Sequence, residues 1–218
     1  MGIRDVQLLY KIKKILGVGT IDIIVRNNQK LVLYRIRNKT HLKLIVLPIF
    51  NKYPMFSNKQ YDYLMFKELL INDVTLLTDL NKYVIPLPQT ILKKDYFKPW
   101  LIGFIEAKGN FNIYMEGNSK IATFDISQTN GSILIEAIKT ELSLTPNCRE
   151  GKYEGEANET NYFNLKVSSI RAVENIIKYI QNAPLQLKGY KRLQYLLWLK
   201  ELRTIPRYAN KFNIPNKY

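Results

Sequence analysis

The sequence predicts an α+β fold of two related modules, each an antiparallel sheet with flanking helices, the first module incomplete at its N-terminus. Three observations carry this. The two halves of the 218-residue chain echo one another in pattern. Short runs alternate apolar and polar residues, as strands with one buried face do. Hydrophobic residues make up 46% of the chain, enough to build a core and too many for a disordered polypeptide.

Taken in order, the first half reads as helix 5–16, strand 20–26, strand 30–37, helix 39–50 and helix 58–71. Asp5 is a good N-cap for the first helix, whose apolar residues fall on one face and whose lysines fall on the other. Asn27-Asn28 suit the two-residue turn of a hairpin. Residues 72–96, with Pro86 and Pro88, read as a linker. The second half reads as helix 97–107, strands 110–116 and 121–128, helix 131–142, strands 147–153 and 161–167, then helices 169–181 and 189–202. Gly117-Asn118 and the stretch from Glu154 to Thr160 supply its turns, and Asn130 is the expected cap of the 131–142 helix. The tail 204–218, with Pro206 and Pro215, reads as loop. The domain boundaries that follow are an incomplete first module over 1–71, a linker over 72–96, a second module over 97–203 and a tail over 204–218.

The repeat is visible residue by residue. Leu33 to Pro54 and Phe163 to Pro184 each run as a strand, a polar break and an amphipathic helix ending at a proline. Lys59, Tyr63 and Leu64 recur in register as Lys191, Tyr195 and Leu196, each set opening a helix. Asp5 to Leu16 matches Asn130 to Leu142. The second half, however, places a helix and two strands, 97–128, before its Asn130 helix, and the first half starts at the equivalent of that helix.

Charge narrows the function. There are 33 Lys and Arg against 18 Asp and Glu, a net charge of +15. Nucleic acid is the usual partner of such a chain, because basic side chains displace counterions from phosphates. A single cysteine, Cys148, makes no internal disulfide, and with one histidine, His41, there is no Cys/His set for zinc. His41 reads as a structural or surface residue. No apolar run approaches the ~20 residues of a membrane span, and the N-terminus has neither a signal-peptide core nor an amphipathic presequence. The bias toward Ile, Lys, Asn, Tyr and Leu suggests an AT-rich gene, which an organelle genome would supply without an import signal. A mitochondrial, organelle-encoded protein is the expectation.

The helix present only in the second half contains Leu101-Ile102-Gly103-Phe104-Ile105-Glu106-Ala107-Lys108-Gly109, followed by Asn110-Phe111. This stretch resembles the nine-residue signature of the LAGLIDADG homing endonucleases and group I intron maturases. Leu101, Gly103, Ile105, Ala107 and Gly109 fit it, and the flanking segments at Phe56 to Tyr61 and Leu193 to Lys200 fit as well. The chain is most similar to the endonuclease-maturases of fungal mitochondrial cytochrome b introns, over essentially its whole length.

The resemblance implies a fold in which two motif helices pack through small residues, here Gly103 and Ala107, four apart on one helix face. It implies an acid at motif position eight of each helix, holding magnesium between the scissile phosphates. Position eight here is Lys108, and an ammonium repels a dication. Glu106 lies about 200° around the helix, at ~3.6 residues per turn, and points elsewhere. The other motif is not in the sequence. The expectation is therefore no bound metal, or Mg2+ if cleavage is retained. Lys59 and Lys191 match the family's basic positions beside the site; a lysine in the first turn of any surface helix would look the same.

The resemblance also implies that the sheets lie in the DNA major groove. The alternation in the strands selects Arg26, Arg35, Arg37, Asn110, Asn112, Tyr114, Thr123, Asp125, Asn164 and Lys166 as candidate nucleic-acid contacts. The outer face of any antiparallel sheet alternates in the same way. Basic runs at 11–14 and 188–203 lie on helices and offer a second surface for intron RNA or a merely solvated one. Three functions follow: a group I intron splicing maturase that has lost cleavage, a site-specific double-strand DNA endonuclease using Mg2+, or a non-functional remnant of one. The 97–107 helix, lacking its partner, would expose an apolar stripe, and a homodimer through that helix is a further expectation.

Overall fold

The computed structural model describes residues 1–72, 84–153 and 160–216. They form two compact units, Met1–Val84 and Ile85–Tyr218.

In the first unit a 3-10 turn, Ile3–Asp5, leads into α1, Val6–Leu16. Asp5 stands at the N-cap, but its side chain makes no capping bond. The 3-10 turn has already wound the backbone there to φ −96°, ψ 8°, away from the extended geometry that aims a cap at the first free amides. Strands β1, Thr20–Arg26, and β2, Gln29–Arg35, pair antiparallel, with Arg26 opposite Gln29. Asn27 and Asn28 alone make the turn, and both take positive φ, 49° and 58°, as the mirror-image hairpin turn demands. β2 stops at Arg35, two residues earlier than expected, because Asn38 turns the chain into the next helix. Its Oδ1 accepts from the His41 N–H at 3.0 Å.

That next helix is one continuous run in three pieces: α2, Lys39–His41, a π-helical turn, Leu42–Val46, and α3, Leu47–Lys52. The Leu47 N–H reaches back five residues to the Leu42 carbonyl. Pro48 gives the reason. A proline inside a regular helix lacks its N–H and drives its ring against the carbonyl four residues back; the wider turn ahead of it relieves that clash. Helix α4, Lys59–Asn72, closes a small core in which Leu47, Tyr63 and Leu70 are buried against Leu42, Phe50, Met55 and Leu64. The Tyr63 hydroxyl lies 2.9 Å from Asn51 Oδ1 and 3.1 Å from the Leu47 carbonyl, which ties α4 to α3.

The second unit begins inside the stretch expected as linker. Pro88–Leu92 forms a short helix, α5, whose Ile91 is wholly buried where α5 packs on α7. A proline at the first helical position is compatible with this, since the N–H it lacks would be unpaired there anyway. Then come α6, Phe97–Lys108, β3, Asn110–Glu116, β4, Ser119–Thr129, and α7, Ser132–Glu141. Strands β5, Arg149–Tyr153, and β6, Thr160–Val167, precede α8, Ile170–Asn182, α9, Tyr190–Leu202, and α10, Pro206–Ala209. The turn expected between β5 and β6 lies outside the described residues. The sheet runs β3-β4-β6-β5, antiparallel throughout. Gly117 takes φ 57° in the tight turn joining β3 to β4. Asn130 is not the cap of α7. It sits in the left-handed region at φ 49°, its N–H bonded to the Asn161 carbonyl at 2.8 Å, and the helix starts two residues later.

One sheet face carries Phe111, Phe124, Ile126, Leu165 and Val167, packed with buried residues of α6 to α9. Phe111 sits at the centre of an aromatic cluster with Phe124, Tyr195 and Trp198, ring centroids 5.1–5.3 Å away. The tail expected as loop is part of this core. Ile205, Tyr208 and Ile214 are buried, and the Tyr208 hydroxyl accepts the Ala122 N–H at 2.9 Å. The repeat inferred from sequence holds at the level of elements: helix, two antiparallel strands and two helical segments occur as α1 to α4 and again as α7, β5, β6, α8 and α9. No described helix is long and apolar enough to cross a membrane.

Candidate nucleic-acid interface

The outward face of the second unit's sheet collects most of the predicted contacts. The register sets Asn110 opposite Asp125 and Asp125 opposite Lys166, with Asn112 opposite Thr123 and Asn164 opposite Ser127. Side chains at these positions, with Tyr114, therefore share one face. Asp125 is its organising group. Asn110 Nδ2 donates to Asp125 Oδ1 at 3.1 Å, and Asn112 Nδ2 donates to Asp125 Oδ2 at 3.3 Å. The Lys166 ammonium stands 5.6 Å from the centroid of the Tyr114 ring. The Asn112 carbonyl accepts from the Trp198 indole at 3.1 Å, which anchors β3 to α9.

One predicted contact is corrected. Thr123 is only 1% exposed and is out of reach of any ligand. β4 lies between β3 and β6, so a Lys166 side chain that meets the Tyr114 ring must cross over β4. Sequence reasoning also missed a residue. Arg149 is exposed and opposite Asn164, hence on the same face. Only the pairing of β5 with β6 reveals this, because β5 itself alternates poorly, with Gly151 at the next outward position. The Asn164 Oδ1 beside it is buried without a hydrogen-bond partner among the described residues.

In the first unit Arg26 and Arg35 lie on one face of the β1–β2 ribbon but at opposite ends of it, roughly 20 Å apart at ~3.4 Å per residue. Arg35 is ion-paired with Asp22 at 3.2 Å. Arg37 falls beyond β2 and is exposed. Lys59 is exposed and bonded to Asp62 within its own helix at 2.6 Å, whereas Lys191 is half-buried in the first turn of α9. On α9 and just before it, Lys188, Arg192 and Lys200 are exposed.

The end of α6 is where the resemblance would place a metal. Lys108 is exposed, and Glu106 faces the other way, its Oε2 accepting the Lys188 N–H at 2.7 Å. Among the described residues no group of three or more His, Cys, Asp or Glu lies close enough together to hold a metal ion. Magnesium takes near-octahedral oxygen coordination, and the donors at this helix end do not fit it. Gly109 closes the motif for a steric reason: a Cβ there would lie 2.9 Å from the Ile105 carbonyl oxygen and 3.2 Å from the Phe124 ring. Gly103 and Ala107 are exposed, and a Cβ on Gly103 would meet nothing within 4 Å.

A cleft of about 350 Å3 on the helical side is lined by Lys98, Glu141, Asn175, Lys178, Tyr179 and Asn182. Its lysines already face carboxylates, Lys98 with Glu141 at 3.7 Å and Lys178 with Glu174 at 2.6 Å, so it has no net pull on an anion.

Comparison with known proteins adds to this geometry. A family profile described as LAGLIDADG endonuclease matches residues 1–70 and 101–202. The chain is 31% identical over 211 residues to the probable intron-encoded endonuclease Cox1-I1b of Schizosaccharomyces pombe, covering 90% of this chain and 53% of that protein. It is 32% identical over 158 residues to the mitochondrial protein RF1 of Saccharomyces cerevisiae, covering 64% of this chain and 31% of that one. The chain thus spans about half the length of the first relative and less of the second. Among solved structures, the homing endonuclease I-GzeII in complex with its DNA target matches with a TM-score of 0.70 at 18% identity, over 98% of this chain and 81% of that one. I-LtrWI bound to target DNA matches with a TM-score of 0.64 at 25% identity, over 100% and 86%.

Proposed function

The chain belongs to the LAGLIDADG endonuclease family, and from that premise we propose that it is a nucleic-acid-binding group I intron splicing maturase that has lost DNA cleavage. The observation that carries the reading is Lys108. It puts a cation where the family's signature places a metal-binding acid, while Glu106 is committed to the Lys188 amide. A maturase needs affinity and a rigid scaffold, not a metal. The net charge of +15 and the polar outward sheet face supply affinity. The lysines and arginine along α9 offer a separate surface that a folded RNA would meet through its backbone. Relatives named for mitochondrial and Cox1-intron origins support a mitochondrial, organelle-encoded protein.

The second reading is a site-specific endonuclease cutting double-stranded DNA with Mg2+, favoured by relatives named as intron-encoded endonucleases and by DNA-bound structural neighbours. It requires acids from outside the described residues. The open Gly103/Ala107 face suits a second motif helix, from another copy of the chain in a homodimer or from a polypeptide joined to it; sedimentation as a monomer would exclude the homodimer. A non-functional remnant predicts no specific binding at all. The deciding experiment offers the protein, with magnesium, its intron-insertion DNA and its intron RNA side by side. RNA binding with faster splicing and intact DNA is the expected result. Cleaved DNA overturns the maturase-only reading, and binding to neither nucleic acid leaves the remnant.

A further inference from the structure

We propose that Asp125 is a positioning residue that fixes the Asn110 and Asn112 amides as a paired reader of two adenines in duplex DNA. The inference rests on the reading of this sheet face as a nucleic-acid surface, and on neither splicing nor cutting.

An ionised carboxylate only accepts hydrogen bonds. With one oxygen facing each asparagine, at 3.1 and 3.3 Å, it admits the NH2 end of both amides and rejects the carbonyl end. Each Oδ1 is thereby turned away from Asp125, and each amide keeps its Oδ1 and one N–H unspent. An acceptor beside a donor is the complement of the adenine N6 amino group and N7 in the major groove. No Lys or Arg among the described residues forms an ion pair with Asp125; Lys166, its neighbour on β6, carries its charge to the Tyr114 ring instead. The uncompensated carboxylate repels phosphate, which leaves base edges rather than the backbone as the business of the two amides beside it.

Spacing sets what they read. Asn110 and Asn112 are two residues apart on β3, about 6.8 Å at ~3.4 Å per residue. That is twice the ~3.4 Å rise between bases along one strand. The two amides therefore address positions separated by one intervening base pair. The deep, narrow major groove of duplex RNA would not admit them.

The test presents the whole chain with a pool of duplex DNA carrying a randomised stretch, and sequences the bound fraction. The wild type is expected to enrich adenine at two positions with one base pair between them, each by roughly 5- to 150-fold over other bases. Asp125→Ala loses both preferences together while total DNA retention holds or rises, because a repelling charge has gone. Asn110→Ala and Asn112→Ala each lose one preference and keep the other, which a variant that merely misfolded would not do. Bound DNA with no adenine pair, or a pair that survives Asp125→Ala, overturns the positioning role and leaves the sheet face as a binding surface. A wild type that retains no duplex DNA overturns the adenine reading and the sheet face as a DNA surface together.

Discussion

Replacing Tyr208 by Phe removes one oxygen atom from a wholly buried ring, and the structure says what that oxygen does. β6 meets β4 only from Phe124 onward, so the Ala122 N–H on that side of β4 has no strand to bond to. The Tyr208 hydroxyl takes the place of the missing strand, at 2.9 Å. Phenylalanine keeps the ring packing and strands the amide in a place where Ala122 and the ring are both 0% exposed. An unpaired buried donor costs ~1–3 kcal/mol. Taking ~2 kcal/mol, and ~2–4 °C per kcal/mol for a chain of this size, the melting temperature falls by about 4–8 °C. Both tryptophans of the sequence, Trp100 and Trp198, lie in the second unit, so intrinsic fluorescence reports its unfolding specifically. Tyr10→Phe, at a half-exposed ring in the first unit, is the control. If Tyr208→Phe melts with the wild type, the amide has another partner and the tail does not complete the sheet.

Glu106→Ala removes the acceptor of the Lys188 N–H and should cost ~1.5 kcal/mol or more in a urea titration, as charged hydrogen bonds do. Glu106→Gln keeps an acceptor and neutralises the buried, unpartnered Oε1, so it should stay near wild type. The Cys148 thiol is held above its ordinary pKa, first by burial and then by the Glu136 carboxylate 3.8 Å away. Less thiolate is then present at any given pH; iodoacetamide should label it more slowly than a free thiol at pH ~8.5, near the ordinary thiol pKa, and Glu136→Gln should speed the labelling. Arg149→Ala should flatten the dependence of log K for DNA on log salt by about 0.9 if the guanidinium holds one phosphate, and an unchanged slope would remove Arg149 from the interface.

What was legible in the sequence was whatever a local pattern encodes. The Asn27-Asn28 turn followed from the need for two positive φ values, and the outward placing of Asn110, Asn112 and Asp125 followed from strict alternation. The errors came where a distant partner decides. Thr123 fits the polar phase of β4, yet packing in the folded unit leaves it only 1% exposed. Asn130 has cap chemistry, yet a bond to Asn161 pulls it out of the helix. Prolines at 86, 88 and 206 suggested loops, yet Ile91 and Tyr208 beside them had core positions to fill. The amide lock at Asp125 was invisible for the same reason, since it needs the register between β3 and β4 and not merely their polarity.

The π-helical turn at Leu42–Val46 changes how this chain should be aligned with others. Leu42 and Leu47 both meet the first unit's core although five residues separate them. In a regular helix the position four before Leu47 shares its face, and that position is Lys43, which here is exposed. The turn thus acts as a one-residue phase shift that keeps a charge out of the core. A relative with an unbroken helix at this point would carry one residue fewer for the same set of core positions. Matched without a gap over residues 39–52, the two sequences would pair the lysine with a core leucine, and every position before it would be compared with the wrong neighbour.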